Sequence, residues 1–141
     1  MPNDPFVILK DIADNYQAHR EHFHRFWDQI NDALQSKRMQ FCKVASPDGG
    51  SFRVTFLTHE LLFEHTYYPT NTGDGPSVIT ASVIDDPNSP RVRLYFDRAA
   101  HIGKSPTDMP GDIHLAPDIL ALFFHILEKL VLSRPPPESP H

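Results

Sequence analysis

Apolar side chains recur in the first quarter of the chain at alternating spacings of three and four residues, as in an amphipathic helix with a seven-residue period. The positions of this apolar stripe are Leu9, Ile12, Tyr16, His19, Phe23, Phe26, Ile30 and Ala33. Asp4 and Pro5 precede it and favour a helix start, because the carboxylate accepts from free amides while the proline has no amide to leave unpaired. The pattern predicts a helix over residues 5–35.

The length of this helix bears on the oligomeric state of the protein. About 31 residues at ~1.5 Å each make a rod of roughly 46 Å, whereas a compact chain of this size is roughly 37 Å across. Either the rod breaks near its histidines, or a second copy covers its far end. We expect a homodimer with antiparallel first helices centred near Glu21, which would set each His19 beside Phe23 of the other copy. The predicted interface residues are Tyr16, His19, Phe23, Phe26, Trp27 and Ile30.

The middle of the chain changes to a two-residue alternation, which is typical of strands with one buried face. Turn-forming residues separate these segments, which are residues 39–45, 52–56, 61–68, 77–84 and 91–96. Residues 60–64 also fit one helical turn, so helix stays an alternative to strand over residues 61–68. The alternation predicts a five-stranded antiparallel meander.

The last third of the chain combines a long aperiodic segment with a second apolar helix. Residues 98–114 show no period and predict a long loop, a kind of segment that is often functional. Residues 117–133 are apolar on more than one face, which predicts a helix covered on two sides. Residues 134–141 contain four prolines and predict a disordered tail. The whole pattern predicts a two-layer α+β fold over residues 1–133, a single domain with its helices on one face of the sheet.

Composition narrows the classes of partner. The net charge of −5 disfavours binding to nucleic acid or to an anionic membrane. The single cysteine, Cys42, excludes an internal disulfide and suits a reducing cytoplasm, and no run of about 18 apolar residues suggests a membrane span. We expect a cytoplasmic protein that needs no cofactor.

Two polar groups are candidates for chemistry. His19, His22 and His24 resemble the start of a metal site, but on a helix His24 points away from the other two, so we predict no metal. A carboxylate that orients an imidazole beside the 98–114 loop would give an acid–base site. The residues of that candidate catalytic group are His65, Asp97, Arg98 and His101.

The apolar surface is better organised than the polar groups, and this difference decides the functional expectation. We expect a small non-catalytic protein-interaction module, with an assembly, regulatory, inhibitory or chaperone-like role, that acts as a homodimer and possesses no metal site. The alternative is a small-ligand-binding protein or enzyme that uses the 98–114 loop as a lid.

Overall fold

A computed structural model describes residues 4–36, 41–71 and 74–132. A long first helix is followed by seven strands and a second helix. In chain order the elements are α1 (Pro5–Ser36), β1 (Cys42–Val44), β2 (Ser51–Phe56), β3 (His59–Tyr67), β4 (Ser77–Val83), β5 (Val92–Phe96), β6 (His101–Gly103), β7 (Gly111–Asp112) and α2 (Ala116–Leu127). A short π-helical segment, Glu128–Leu132, continues α2. The predicted tail, residues 134–141, lies outside the described residues.

Helix α1 begins where the sequence predicts and runs unbroken through its histidines. The Asp4 carboxylate accepts from the amide of Phe6 at 2.9 Å, and the Asp4 carbonyl accepts from the amide of Ile8 at 3.1 Å. The first contact satisfies an amide that the helix itself would leave unpaired, and the second is the first regular hydrogen bond of the helix. The helix has 32 residues, so the alternative of a break in its middle is excluded.

The sheet is an antiparallel meander in which each strand pairs with the next, in the order β1 to β7. The predicted meander is confirmed, and the segment that left a helix alternative is the nine-residue strand β3. The predicted count of five strands is wrong. Strands β6 and β7 have three and two residues, too few for an alternating pattern to be recognised.

The predicted loop over residues 98–114 is therefore part of the sheet. Ile102 pairs with Phe96 on one side and with Gly111 on the other. The side chains of Ile102 and Ile113 are fully buried. This segment contributes two strands and three core side chains, those of Ala100, Ile102 and Ile113, so it is built into the fold and differs from the long loop that the sequence predicts.

Both helices cover the same face of the sheet, as the sequence predicts. The Phe63 ring on β3 stacks on Phe52 of β2 with centroids 4.8 Å apart. It also meets Phe26 of α1 and Phe123 of α2, each at 6.2 Å. Phe63 thus lies where the sheet and the two helices meet. It belongs to an aromatic core, because alternate side chains of β2 and β3 point toward the helices.

Helix α1 extends past the sheet at its N-terminal end. At roughly 1.5 Å per residue it is about 48 Å long. Its first buried residue is Asn15. Residues 5–14, here called the projecting segment, are not buried, and Phe6 and Leu9 are 75% and 63% exposed. The length argument from the sequence therefore identifies a real overhang.

Candidate functional site

The apolar stripe of α1 divides into a covered part and an exposed part. His19, Phe23, Phe26 and Ile30 are fully buried against the chain's own sheet and are unavailable to a second copy in this structure. Trp27 is half-buried and donates from Nε1 to the Ala45 carbonyl at 2.8 Å. Antiparallel pairing centred near Glu21 is therefore blocked, because the sheet already occupies that face.

Tyr16 is the predicted interface residue that stays exposed, at 41%. Together with three exposed residues of the projecting segment it forms a line of side chains along α1. We call this line the exposed row; its members are Phe6, Leu9, Ala13 and Tyr16. Spacings of three, four and three residues put these side chains on one face of the helix. This face is rotated away from the buried one, so a seven-residue period in the sequence does not distinguish the two.

A buried polar cluster, which we call the His–Ser–His cluster, lies where α1 leaves the sheet. The Ser77 hydroxyl at the start of β4 is 2.6 Å from Nδ1 of His19 and 2.8 Å from Nε2 of His65 on β3. His19 and Ser77 are fully buried, and His65 is 8% exposed. On its other side, Nε2 of His19 lies 3.3 Å from Oδ1 of Asp74 in the β3–β4 loop. The Tyr67 hydroxyl donates to the same oxygen at 3.3 Å.

Hydrogen-bonding capacity fixes the direction of this chain of contacts. A carboxylate only accepts, so Nε2 of His19 carries a proton and donates to Asp74. In the neutral ring Nδ1 is then an acceptor and takes the Ser77 hydroxyl proton. The Ser77 oxygen in turn accepts from Nε2 of His65, which leaves Nδ1 of His65 without a proton. That nitrogen is buried and has no partner among the described residues.

Electrostatics agree with two neutral rings. Burial lowers the pKa of His65 from 6.5 to about 3, and the positive charge of Arg20 acts in the same direction. Burial also lowers the pKa of His19, although the hydrogen bond and charge of Asp74 oppose the shift. The low-dielectric interior disfavours the charged form of each imidazole.

The order Asp74, His19, Ser77 is that of a nucleophilic triad, but its surroundings do not suit catalysis. Ser77 is fully buried, and its oxygen is held by a second histidine. A nucleophile must reach a substrate carbonyl beside donors that stabilise the developing oxyanion. The Ser77 hydroxyl is thus occupied by the two imidazoles and is not presented to a substrate.

The predicted acid–base residues do not come together. Nδ1 of His101 lies 3.0 Å from Oδ2 of Asp97, so this carboxylate does orient an imidazole, in an exposed position. Arg98 instead donates to the Asn15 side chain of α1. His65 belongs to the buried cluster. The sequence points to both His19 and His65 but not to Asp74 and Ser77. These two residues lie 55 and 58 positions after His19 in the chain, and no local pattern connects them to α1.

Neither a metal nor a membrane site emerges from the part of the chain that the structure describes. Within residues 4–36, 41–71 and 74–132, no three His, Cys, Asp or Glu side chains are grouped to hold a metal ion. No helix in those ranges combines the length and apolarity needed to cross a bilayer. Models of known families, curated proteins and solved structures give no match to this chain.

Proposed function

We propose that this protein is a non-catalytic interaction module that associates with a second copy of itself through the exposed row of α1. The single observation that carries the proposal is the overhang, in which α1 exposes Phe6 and Leu9 beyond its own sheet and Tyr16 at the edge of the sheet. Contiguous exposed apolar surface of this kind typically marks an interaction site. A cytoplasmic location is part of the proposal, supported by the buried free thiol of Cys42.

The exposed row is complementary to itself when two helices run antiparallel. With the two-fold axis crossing the exposed row at the level of residue 11, Phe6 of each copy meets Tyr16 of the other, and Leu9 meets Ala13. Each layer then pairs a large side chain with a small one or an aromatic ring with an aromatic ring, so the helices can approach closely. A surface that complements its own copy is the hallmark of an isologous dimer.

The area of the row sets the expected strength. The exposed parts of Phe6, Leu9 and Tyr16 amount to roughly 400 Å² per copy, against about 800 Å² per partner in a typical stable complex. Polar groups on either side of the row add to this figure, but the interface stays at the small end of the range. We therefore expect a reversible dimer with a dissociation constant in roughly the micromolar range.

Sedimentation velocity between about 1 and 200 µM at pH 7.5 tests the proposal. Leu9→Glu buries a charge in the interface and should leave a folded monomer. Val7→Glu is the matched control, because Val7 is 53% exposed in the same segment but lies roughly 200° around the helix from Leu9. It should dimerise like the unmodified protein.

A residue exchange tests the antiparallel arrangement itself. Leu9→Ala and Ala13→Leu should each weaken the dimer, the first by loss of apolar area and the second by overpacking. The double variant restores a large side chain opposite a small one and should recover most of the affinity. A monomeric unmodified protein at all concentrations, or a Leu9→Glu variant that dimerises normally, would contradict the proposal.

The alternative function has less support. It retains the Asp97–His101 pair, but the segment expected to act as a lid is built into the sheet. We do not propose an enzymatic activity.

A further inference from the structure

The His–Ser–His cluster joins the three elements that meet where the projecting segment begins. His19 belongs to α1, His65 to β3, and Ser77 to the first residue of β4. Tyr16 connects the cluster to the exposed row, since its ring lies 6.4 Å from that of His65 and 6.2 Å from that of Tyr67. A change in the hydrogen bonds of these histidines can therefore change the position of the exposed row.

One protonation state leaves the cluster without an unpaired N–H or O–H donor. A second proton on His19 would turn its Nδ1 into a donor, which the second lone pair of the Ser77 oxygen could accept, but it would deprive the Ser77 hydroxyl proton of its acceptor. A second proton on His65 would fall on Nδ1, which has no acceptor among the described residues. A buried donor without an acceptor is costly, and a buried charge more so.

The charges around the cluster do not remove this sensitivity. From α1, the cation of Arg20 and the imidazole of His24 face His65, and His22 faces His19. Asp74 in the β3–β4 loop and Asp97 after β5 favour protonation of His19, while Tyr67 of β3 meets it as an aromatic ring at 4.5 Å. Burial outweighs the two carboxylates at His19, and at His65 burial and the charge of Arg20 both disfavour protonation.

We propose that the His–Ser–His cluster is an acid-sensitive latch, which holds α1 against β3 and β4 and opens when its histidines are protonated. Opening frees the helix around Tyr16 from the sheet and so removes the fixed geometry of the exposed row. The weakened dimerisation that follows rests on the proposed function, whereas the opening itself is a property of one chain. Acid conditions should thus loosen the helix whether or not the protein dimerises.

The size of the effect follows from proton linkage. In the open state both rings regain an ordinary histidine pKa of about 6.5 and bind protons that the closed state excludes. Between pH 7.5 and 5.5 His65, whose pKa in the closed state is about 3, shifts the opening equilibrium by about ten-fold, and the lowered pKa of His19 raises the total to at most about a hundred-fold.

Amide hydrogen exchange in the Leu9→Glu background measures the opening without dimerisation. Protection factors at residues 15–24, corrected for intrinsic exchange rates, should fall by between about ten-fold and about a hundred-fold from pH 7.5 to pH 5.5. In His65→Phe, whose ring keeps the stacking with Phe23, the fall should be about ten-fold smaller than in the parent. The control His59→Gln changes an exposed histidine of the same strand and should behave like the parent.

Two outcomes would overturn the latch. One is protection at residues 15–24 that does not depend on pH. The other, which needs no cluster variant, is an NMR titration in which His19 and His65 protonate near pH 6.5 in the folded chain. Either of these results would refute the latch without refuting the dimer at pH 7.5. Conversely, a protein that is monomeric at all concentrations would refute the dimer, and the same exchange measurement would still test the latch.

Discussion

Ser77→Ala is the substitution that most specifically removes the polar cluster beneath α1. It deletes one oxygen and leaves the two imidazoles in place. Nε2 of His65 then loses its acceptor, and Nδ1 of His19 loses its donor. No other contact of the core changes directly, so the measured cost reports on the cluster.

The magnitude follows from the two orphaned groups. A buried polar group left without a partner costs about 1–3 kcal/mol. Two such groups, in side chains that are at least nine-tenths buried, give an expected loss of about 2–6 kcal/mol. That is a large share of the roughly 5–15 kcal/mol by which a typical domain is stable.

Urea denaturation at pH 7.5, where both rings are neutral in the folded and unfolded states, measures this loss without a contribution from protonation. The slope of free energy against urea should be unchanged while the midpoint falls. Ser82→Ala is the control, because Ser82 lies on the opposite face of β4 and should change stability by less than about 0.5 kcal/mol. A loss below about 0.5 kcal/mol in Ser77→Ala would refute the hydrogen-bond assignment.

Three further predictions concern the folded chain. The free energy of unfolding should be constant above about pH 7.5 and fall in acid by up to ~1.4 kcal/mol per pH unit for each of His19 and His65, because these rings bind protons in the unfolded chain but not in the folded one. Urea titrations from pH 8 to about 5 measure this, and a free energy that does not change with pH would contradict it. Phe63→Ala should cost about 3–5 kcal/mol in the same assay, since its ring contacts both helices, and a cost under 1 kcal/mol would place the core elsewhere. Gly103→Ala should lower the melting temperature, because an added Cβ would clash with the Asp108 carbonyl oxygen. An unchanged melting temperature would mean that the backbone between β6 and β7 shifts at little cost.

Local patterns in the sequence predicted those parts of the fold whose signal is long. The cap at Asp4 and the apolar period located α1, and alternation located β2 and β5. Strands β6 and β7 were missed because their five residues are held by pairing to neighbours rather than by a pattern of their own.

The candidate site was harder to predict because it depends on where the sheet ends. The period of α1 identifies an apolar face, but not which turns of it the sheet covers. Phe23 and Leu9 therefore look alike in the sequence, although one is fully buried and the other is 63% exposed. The His–Ser–His cluster depends on β3 and β4 bringing His65 and Ser77 beneath His19, which no spacing along the chain encodes.

Hydrogen exchange of the amides of residues 6–16, followed at pH 7.5 as the protein concentration is raised, tests the central claim most directly. If the overhang of α1 is covered by a second copy, protection in this segment rises with concentration, as the mass rises from 16.1 kDa to twice that value. The core strands should exchange at rates that hardly change. Exchange in residues 6–16 that is independent of concentration, in a particle that stays at 16.1 kDa, would contradict the claim.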